Sequence, residues 1–188
     1  MPTFTLLPVT TKQELRTWAK AIPSVSQMES TAVVDGISEF FDAAEISRGL
    51  MFLPIPGEVD LTRLVHLRDE VEWHVTRTPR AGWLSVHSVE AEMEVHAFGY
   101  RQPVAGSREV DPLTIDLVLV PGLLFDLQGG RLGRGKGYYD ELISRLNPEV
   151  RLMGVTVDRR VVAQVPMEPN DRRMHQLATE SGCRPVQT

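Results

Sequence analysis

At the centre of the chain stands Ile115-Asp116-Leu117-Val118-Leu119-Val120-Pro121, and this stretch decides the fold. It is almost continuously apolar and rich in β-branched side chains, which is typical of a strand buried on both faces of a parallel sheet. Stretches with helical spacing alternate with short apolar strands along the rest of the chain, and that alternation indicates an α/β fold. We therefore predict a mostly parallel sheet that is covered on both sides.

Hydrophobic spacing and turn residues give approximate bounds for the other elements. The predicted helices are 12–22, which begins at a Thr11 cap and ends before Pro23, then 27–44, 60–70 and 136–146. The further predicted strands are 49–53, 73–76, 84–86, 93–98, 151–157 and 161–165. Ligands of parallel sheets collect at the carboxyl ends of the strands, so we expect a site in the loops after Leu53, Val120 and Val165.

Length, composition and charge limit the kind of protein. A chain of 188 residues, 42% hydrophobic and 24% charged, is typical of one globular domain, residues 1–188. The formal net charge of −5 argues against nucleic acid or an anionic membrane as a partner. We find no signal peptide and no apolar span, and the single Cys183 suits a reducing compartment. We expect a cytoplasmic monomer.

The segment after the central strand, Gly129 to Asp140, combines glycines with positive charge. Glycines at 133, 135 and 137 allow the backbone amides to point towards one ligand, and a helix start there adds unpaired N–H groups. Arg131, Arg134 and Lys136 can neutralise a polyphosphate. The spacing is neither that of a dinucleotide-binding loop nor that of Walker A. We predict an anion site, and the alternative is a plain solvent-exposed turn.

Other chemistries are not supported by the sequence. The five histidines show no metal-ligand spacing and have no cysteine beside them, so no zinc site is expected. No serine or cysteine stands in a recognisable nucleophile motif. This pattern agrees with a reaction that needs no covalent enzyme intermediate.

The stretch from Val120-Pro121-Gly122 to Tyr138-Tyr139-Asp140 resembles the signature of the 5-formyltetrahydrofolate cyclo-ligase family, also called the 5,10-methenyltetrahydrofolate synthetase family. Three further matches follow the family's order along the chain. They are the Lys12-x-x-x-Arg16 pair, Leu53 with Glu58 after the first strand, and Val165-Pro166 to Asn170-Asp171 followed by Thr179-Glu180. The resemblance spans most of the chain, although 64–114 is poorly marked.

The resemblance implies a single-domain, three-layer α/β/α sandwich around a mixed or mostly parallel sheet. It also implies an enzyme that uses ATP and Mg²⁺ to cyclise 5-formyltetrahydrofolate to 5,10-methenyltetrahydrofolate, releasing ADP and phosphate. The implied site residues are Arg134 and Lys136 for catalysis; Lys12, Arg16, Arg131, Leu132, Gly133, Arg134, Gly135, Lys136, Gly137, Tyr138 and Tyr139 for ATP; Leu53, Glu58 and Tyr139 for the folate; and Asp140 and Asp171 for Mg²⁺.

Each match also has a structural alternative. Lys12 and Arg16 could lie on a solvated helix face, and the two tyrosines could pack a helix start. Glu58 could cap the helix predicted from Asp60, and the metal-binding pair could instead be two separate helix caps.

Two functional alternatives also remain at this stage. The first is a non-catalytic nucleotide- or folate-binding member of the family, and the second is a sugar-phosphate enzyme. Three departures from the family pattern bear on substrate range: His175 in place of a second aspartate, Leu124 in place of a small residue, and the early Pro23.

Overall fold

The computed structural model describes residues 11–97 and 99–187. Its helices are α1 (Lys12–Ala19), α2 (Gln27–Phe41), α3 (Leu64–Leu67) and α4 (Tyr138–Ser144). Its strands are β1 (Arg48–Met51), β2 (Glu72–Arg77), β3 (Ser85–Ser88), β4 (Met93–Val95), β5 (Arg101–Pro103), β6 (Leu117–Pro121), β7 (Leu124–Asp126), β8 (Arg131–Leu132), β9 (Arg151–Val155), β10 (Val161–Val162), β11 (Gln176–Thr179) and β12 (Gly182–Pro185). Two short 3₁₀ helices cover Pro112–Thr114 and Asp158–Arg160.

The main sheet has seven strands in the order β12-β11-β9-β6-β1-β2-β3. Its five inner strands are parallel, and an antiparallel strand closes each edge. The predicted central strand, β6, lies in the middle of this sheet between β1 and β9. The prediction of an α/β fold with a mixed, mostly parallel sheet is therefore confirmed.

Alternation along β6 explains the three layers. Leu117 and Leu119 point to the core that α2 covers, while Val118 and Val120 point to the opposite core, which α4 covers. All four side chains are fully buried. A strand with a core on each face needs a continuous apolar run, and this is why the central stretch was a strong sequence signal.

Several predicted bounds differ from the observed ones. The helix predicted over 60–70 is only the single turn α3, because Asp60 accepts hydrogen bonds from the Thr62 amide and hydroxyl and so makes a tight turn. The predicted start of α4 at Lys136 is wrong by two residues, since Gly137 adopts the left-handed conformation (φ +70°) directly before Tyr138. The predicted Thr11 cap of α1 is confirmed as a capping box with Glu14, and α1 ends before Pro23. The strand prediction over 93–98 extends to Phe98, which lies outside the described residues.

A second, small sheet of order β10-β7-β8 was not predicted. The buried carboxylate of Asp126 organises it by accepting backbone N–H groups from Gln128, Gly130 and Val165. Leu124 lies in the apolar cluster between this sheet and α1, where it contacts neighbours such as Leu15. The larger side chain of Leu124 therefore fills a position in the hydrophobic core.

No helix within the described part of the chain is long and apolar enough to cross a membrane.

Candidate functional site

A cavity of about 760 Å³ opens where β1, β2 and β6 end. All fifteen residues predicted to bind ATP, folate or metal line this cavity. They come from α1, from the loop after β1, from the glycine-rich segment and from the loop that contains Asp171. Segments that are far apart in sequence thus meet at the carboxyl edge of the parallel strands, where the topology predicts a ligand site.

The cavity has two sides of different chemistry. We call one the glycine-loop wall, formed by Lys12, Arg16, residues 131–140 and Asp171. We call the other the strand wall, which consists of Thr76, Thr78, Pro79, Arg80, Leu84, His96 and Tyr100. The loop after β1, with Leu53 and Glu58, lies between them because β1 separates β6 from β2 in the sheet.

On the glycine-loop wall, α1 packs directly onto the glycine-rich segment. Arg16 donates from Nε to the carbonyl oxygen of Gly133 at 3.1 Å. Gly135 has a φ of +92°, and a Cβ atom there would lie 3.3 Å from the Arg16 guanidinium carbon. The left-handed backbone favours glycine at this position, and a larger residue would also displace the Arg16 side chain. The solvated-face alternative for Arg16 is therefore wrong, because its guanidinium contacts the loop.

Two of the predicted phosphate-binding cations form ion pairs with the two predicted metal ligands. Lys12 Nζ lies 2.5 Å from Asp171 Oδ2 and 3.3 Å from a Glu168 carboxylate oxygen. Arg131 Nη2 lies 2.6 Å from Asp140 Oδ1, and the Arg131 side chain is only 6% exposed. Charge neutralisation of this kind stabilises the buried Arg131 and the partly buried Lys12 next to the cavity.

Glu58 and Arg134 pair with each other at 3.1 Å. The other carboxylate oxygen of Glu58 accepts from the Ile55 amide at 3.2 Å, which fixes the turn after β1. Glu58 is 11% exposed and Arg134 is 51% exposed, so the carboxylate is held firmly and the guanidinium faces solvent. The helix-cap alternative for Glu58 is wrong, because no helix begins at Asp60.

Lys136 differs from these cations. It is exposed on the cavity wall, and its ammonium makes no hydrogen bond or ion pair with another described residue. The glycine-loop wall contributes five cations, and Glu58, Asp140 and Asp171 contribute three carboxylates. An excess of two positive charges remains, which suits a multiply charged anion.

Tyr139 links the two walls. Its ring lies 5.9 Å from the Arg131 guanidinium carbon, and its hydroxyl contacts Thr76 of the strand wall. Burial raises the pKa of the Tyr139 phenol, so the group stays neutral at all physiological pH values. The packing alternative for Tyr138 and Tyr139 is partly confirmed, because both side chains contact the core under α4.

The strand wall was not predicted from sequence. Tyr100 donates its hydroxyl hydrogen to Thr78 Oγ1 at 3.0 Å, and the His96 ring stacks on Tyr100 at 4.5 Å between centroids. These residues come from β2, from the loop that follows it and from the β4–β5 hairpin, which lie in the poorly marked region 64–114. Thr76 and Thr78 alternate at the end of β2, and this spacing is the one sequence signal that could have indicated them.

The predicted metal ligands, Asp140 and Asp171, both offer carboxylate oxygens at the cavity. Among the described residues, no group of three or more His, Cys, Asp or Glu side chains could hold a metal ion. Asp140 Oδ2 and Asp171 Oδ1 nevertheless take part in no hydrogen bond with another described residue, so each carboxylate keeps one oxygen available at the cavity. Neither residue caps a helix: α4 begins after Gly137, and Asp171 accepts from the Glu168 amide in a turn.

His175 does not belong to the cavity lining. Its Nδ1 accepts from the Leu152 amide at 3.1 Å, which fixes the start of β9 beside β11. The replacement of an aspartate by His175 therefore has a structural consequence at the sheet and none among the residues that line the cavity.

The chain is similar to known proteins in sequence and in structure. The model of the 5-formyltetrahydrofolate cyclo-ligase family matches residues 48–180. The 5,10-methenyltetrahydrofolate synthetase of Aquifex aeolicus has a similar structure, with a TM-score of 0.79 and 31% sequence identity over 94% of this chain and 93% of that one.

Curated relatives match over shorter stretches. A 5-formyltetrahydrofolate cyclo-ligase of Mus musculus is 33% identical over 91 residues, which cover 45% of each chain. A probable 5-formyltetrahydrofolate cyclo-ligase of Schizosaccharomyces pombe is 31% identical over 100 residues, which cover 46% of this chain and 49% of the relative. The chain thus matches slightly less than half the length of these two relatives.

Proposed function

Because the chain belongs to the 5-formyltetrahydrofolate cyclo-ligase family, we propose that it converts 5-formyltetrahydrofolate and ATP into 5,10-methenyltetrahydrofolate, ADP and phosphate. The observation that carries this proposal is the meeting of all fifteen predicted ligand residues at one cavity. A cytoplasmic location, which the single cysteine suits, and a monomeric state belong to the same proposal.

The proposed reaction removes an obstacle set by amide resonance. The formyl carbon is a weak electrophile, and its oxygen is a poor leaving group. The formyl oxygen attacks the γ-phosphorus of ATP, the bond from that phosphorus to the ADP oxygen breaks, and an imidate phosphate forms. Nitrogen 10 then adds to the activated carbon and loses its proton to solvent as the carbon–oxygen bond breaks and phosphate departs.

The glycine-loop wall is the proposed nucleotide site. Phosphoryl transfer needs little covalent chemistry from the protein, so cations and backbone amides act by positioning the phosphates and by stabilising developing charge. Lys136 has no partner among the described residues, so it can bind a phosphate without first releasing a carboxylate. Lys12 and Arg134 must first exchange an acidic partner for the phosphate. Arg131 is almost completely buried, so we expect it to act mainly through Asp140 and Tyr139.

The loop after β1 is the proposed pterin site. Glu58 offers carboxylate oxygens to the several N–H donors of a pterin, and a nearly buried carboxylate binds such donors strongly. Leu53 and Tyr139 supply apolar surface on which the ring can lie. The position of this loop between the two walls brings the formyl group of a bound pterin towards the glycine-loop wall.

The donor set also fits Mg²⁺ that arrives with the nucleotide. Mg²⁺ prefers oxygen ligands, keeps several waters and is held by one or two carboxylates together with substrate phosphates. The free oxygens of Asp140 and Asp171 are of this kind. When bound, the ion would neutralise charge on the β- and γ-phosphates. In the proposal Asp140 and Asp171 would hold the ion together with the substrate phosphates.

An absorbance assay tests the proposed function. The methenyl product absorbs in the near ultraviolet and 5-formyltetrahydrofolate does not, so turnover is observed directly. We expect an increase in absorbance with ATP and Mg²⁺ and none when either is omitted. Tight binding of both substrates without any absorbance change would favour the non-catalytic alternative, and absence of binding to either substrate would overturn the proposal.

A further inference from the structure

Three neighbouring parallel strands supply three different groups at the edge of the sheet. The glycine-rich segment follows β6, Glu58 follows β1, and Thr78 to Arg80 follow β2. The strands lie in the order β6-β1-β2 and run in parallel, so their loops emerge at the same edge in that order. Strand spacing of about 4.8 Å puts the loop after β2 about 10 Å from the loop after β6.

Arg80 gives the far end of this row a positive charge. It is exposed and is the one arginine or lysine among the described residues of the strand wall. It makes no hydrogen bond or close ion pair with another described residue and acts only at longer range on Glu94. The Glu94 carboxylate is already bound by Arg77 at 2.6 Å and by Gln102 at 2.9 Å.

The rest of the strand wall carries hydroxyl, apolar and aromatic groups. Such a surface suits an aromatic ligand body, and a lone cation at its end suits an anionic group on that ligand. A folate has this sequence of groups: a pterin with N–H donors, an aromatic ring, and a glutamate with carboxylates. The order of groups in the ligand matches the order Glu58, strand wall, Arg80.

We propose that Arg80 binds the glutamate carboxylates of the folate substrate and so makes the enzyme selective for a substrate that carries this tail. The proposal rests on the proposed function and assigns the orientation of the folate across the cavity: pterin towards the glycine-loop wall, tail towards β2. Arg80 is then a specificity-determining residue that lies away from the reacting atoms.

The test compares two ligands that differ only in the tail. Binding of 5-formyltetrahydrofolate and of 5-formyltetrahydropteroate, which lacks the glutamate, is measured by calorimetry on the wild-type protein and on Arg80→Gln. Because Arg80 is exposed, we expect Arg80→Gln to weaken binding of the full substrate by about 3-fold to 10-fold. We expect unchanged binding of the truncated ligand and of ATP.

Arg101→Gln is the matched control, because it removes the same charge from an exposed position on β5 outside the cavity lining. It should leave all three affinities unchanged. Equal effects of Arg80→Gln on the full and truncated ligands, or no effect on either, would overturn the inference while leaving the proposed function intact. A wild-type protein that binds neither folate would overturn both.

Discussion

The two walls of the cavity differ in how they are built and in how they hold charge. The glycine-loop wall is mostly one continuous segment, and three of its five cations already lie against carboxylates. The strand wall is assembled from strand ends and a hairpin, and its arginine makes no hydrogen bond or close ion pair with another described residue. This difference indicates that ATP phosphates must replace carboxylates as partners of the cations on the glycine-loop wall. The carboxylates of the folate tail, in contrast, can bind Arg80 without displacing another group.

The largest expected effect concerns Lys136, which makes no hydrogen bond or ion pair with another described residue. Lys136→Met should weaken ATP binding about 10-fold to 100-fold, because a charge-assisted contact contributes about 1.5–3 kcal/mol and no carboxylate must be released to form it. Calorimetric titration with ATP measures the change. Lys20→Met is the control, since Lys20 is exposed at the end of α1 and outside the cavity lining. If Lys136→Met bound ATP as tightly as Lys20→Met does, the glycine-loop wall would not be the nucleotide site.

Substitutions in the Glu58–Arg134 pair should affect binding of the folate and binding of ATP differently. Glu58→Gln should weaken binding of 5-formyltetrahydrofolate about tenfold, because a charged acceptor is lost, and should leave ATP affinity equal or slightly higher. Thermal melting provides the control, since Glu58 also fixes the turn at Ile55. Unchanged folate affinity with a lower melting temperature would make Glu58 a structural residue only.

Arg134→Ala changes the other member of the pair and should have a smaller effect on ligand affinity than Glu58→Gln. We expect ATP affinity to fall about fivefold, because the exposed guanidinium gives up its bond to Glu58 when it binds phosphate. Folate affinity without nucleotide should rise, because Glu58 is then free to accept the pterin donors. A fall in folate affinity would show that Arg134 itself attracts the folate. It would contradict the proposal that Arg134 exchanges Glu58 for an ATP phosphate.

The smallest effects are expected for the proposed metal ligands. Asp140→Asn and Asp171→Asn should each raise the Mg²⁺ concentration for half-maximal activity about threefold, because the ion keeps phosphate and water ligands. The double variant should lose less than the sum if both carboxylates hold one ion. Asp35→Asn, which breaks a surface pair with Arg63, is the control for loss of an acidic charge. Strictly additive losses would mean two independent sites.

Much of the glycine-loop wall could be predicted because its residues are neighbours in sequence. Gly133, Gly135 and Gly137 stand among cations within a few residues, so composition alone indicates an anion site. The buried strand β6 was equally clear, since both of its faces need apolar side chains. Lys12 and Arg16 were linked to the loop by the resemblance alone, because nothing in their spacing indicates the packing of α1 on the glycine-rich segment.

The remaining features depend on contacts between distant residues. The β7–β8 hairpin was missed because glycines predict a loop, whereas its stability comes from Asp126, which also binds the amide of Val165 in another part of the chain. The prediction of a helix over 60–70 was wrong because two buried leucines three residues apart, Leu61 and Leu64, also fit a turn. The strand wall has no recognisable sequence motif, because its residues come singly from short strands and a hairpin and are not neighbours in sequence.

The most direct measurement follows the formyl oxygen. In the proposed mechanism, a folate held at the loop after β1 presents this oxygen to the γ-phosphate of ATP on the glycine-loop wall. With 5-formyltetrahydrofolate labelled with ¹⁸O in the formyl group, wild-type protein, ATP and Mg²⁺, the released phosphate is analysed by mass spectrometry. If the formyl oxygen attacks the γ-phosphorus, the released phosphate carries the label. Label found in water, with unlabelled phosphate, would contradict direct transfer between the two ligands.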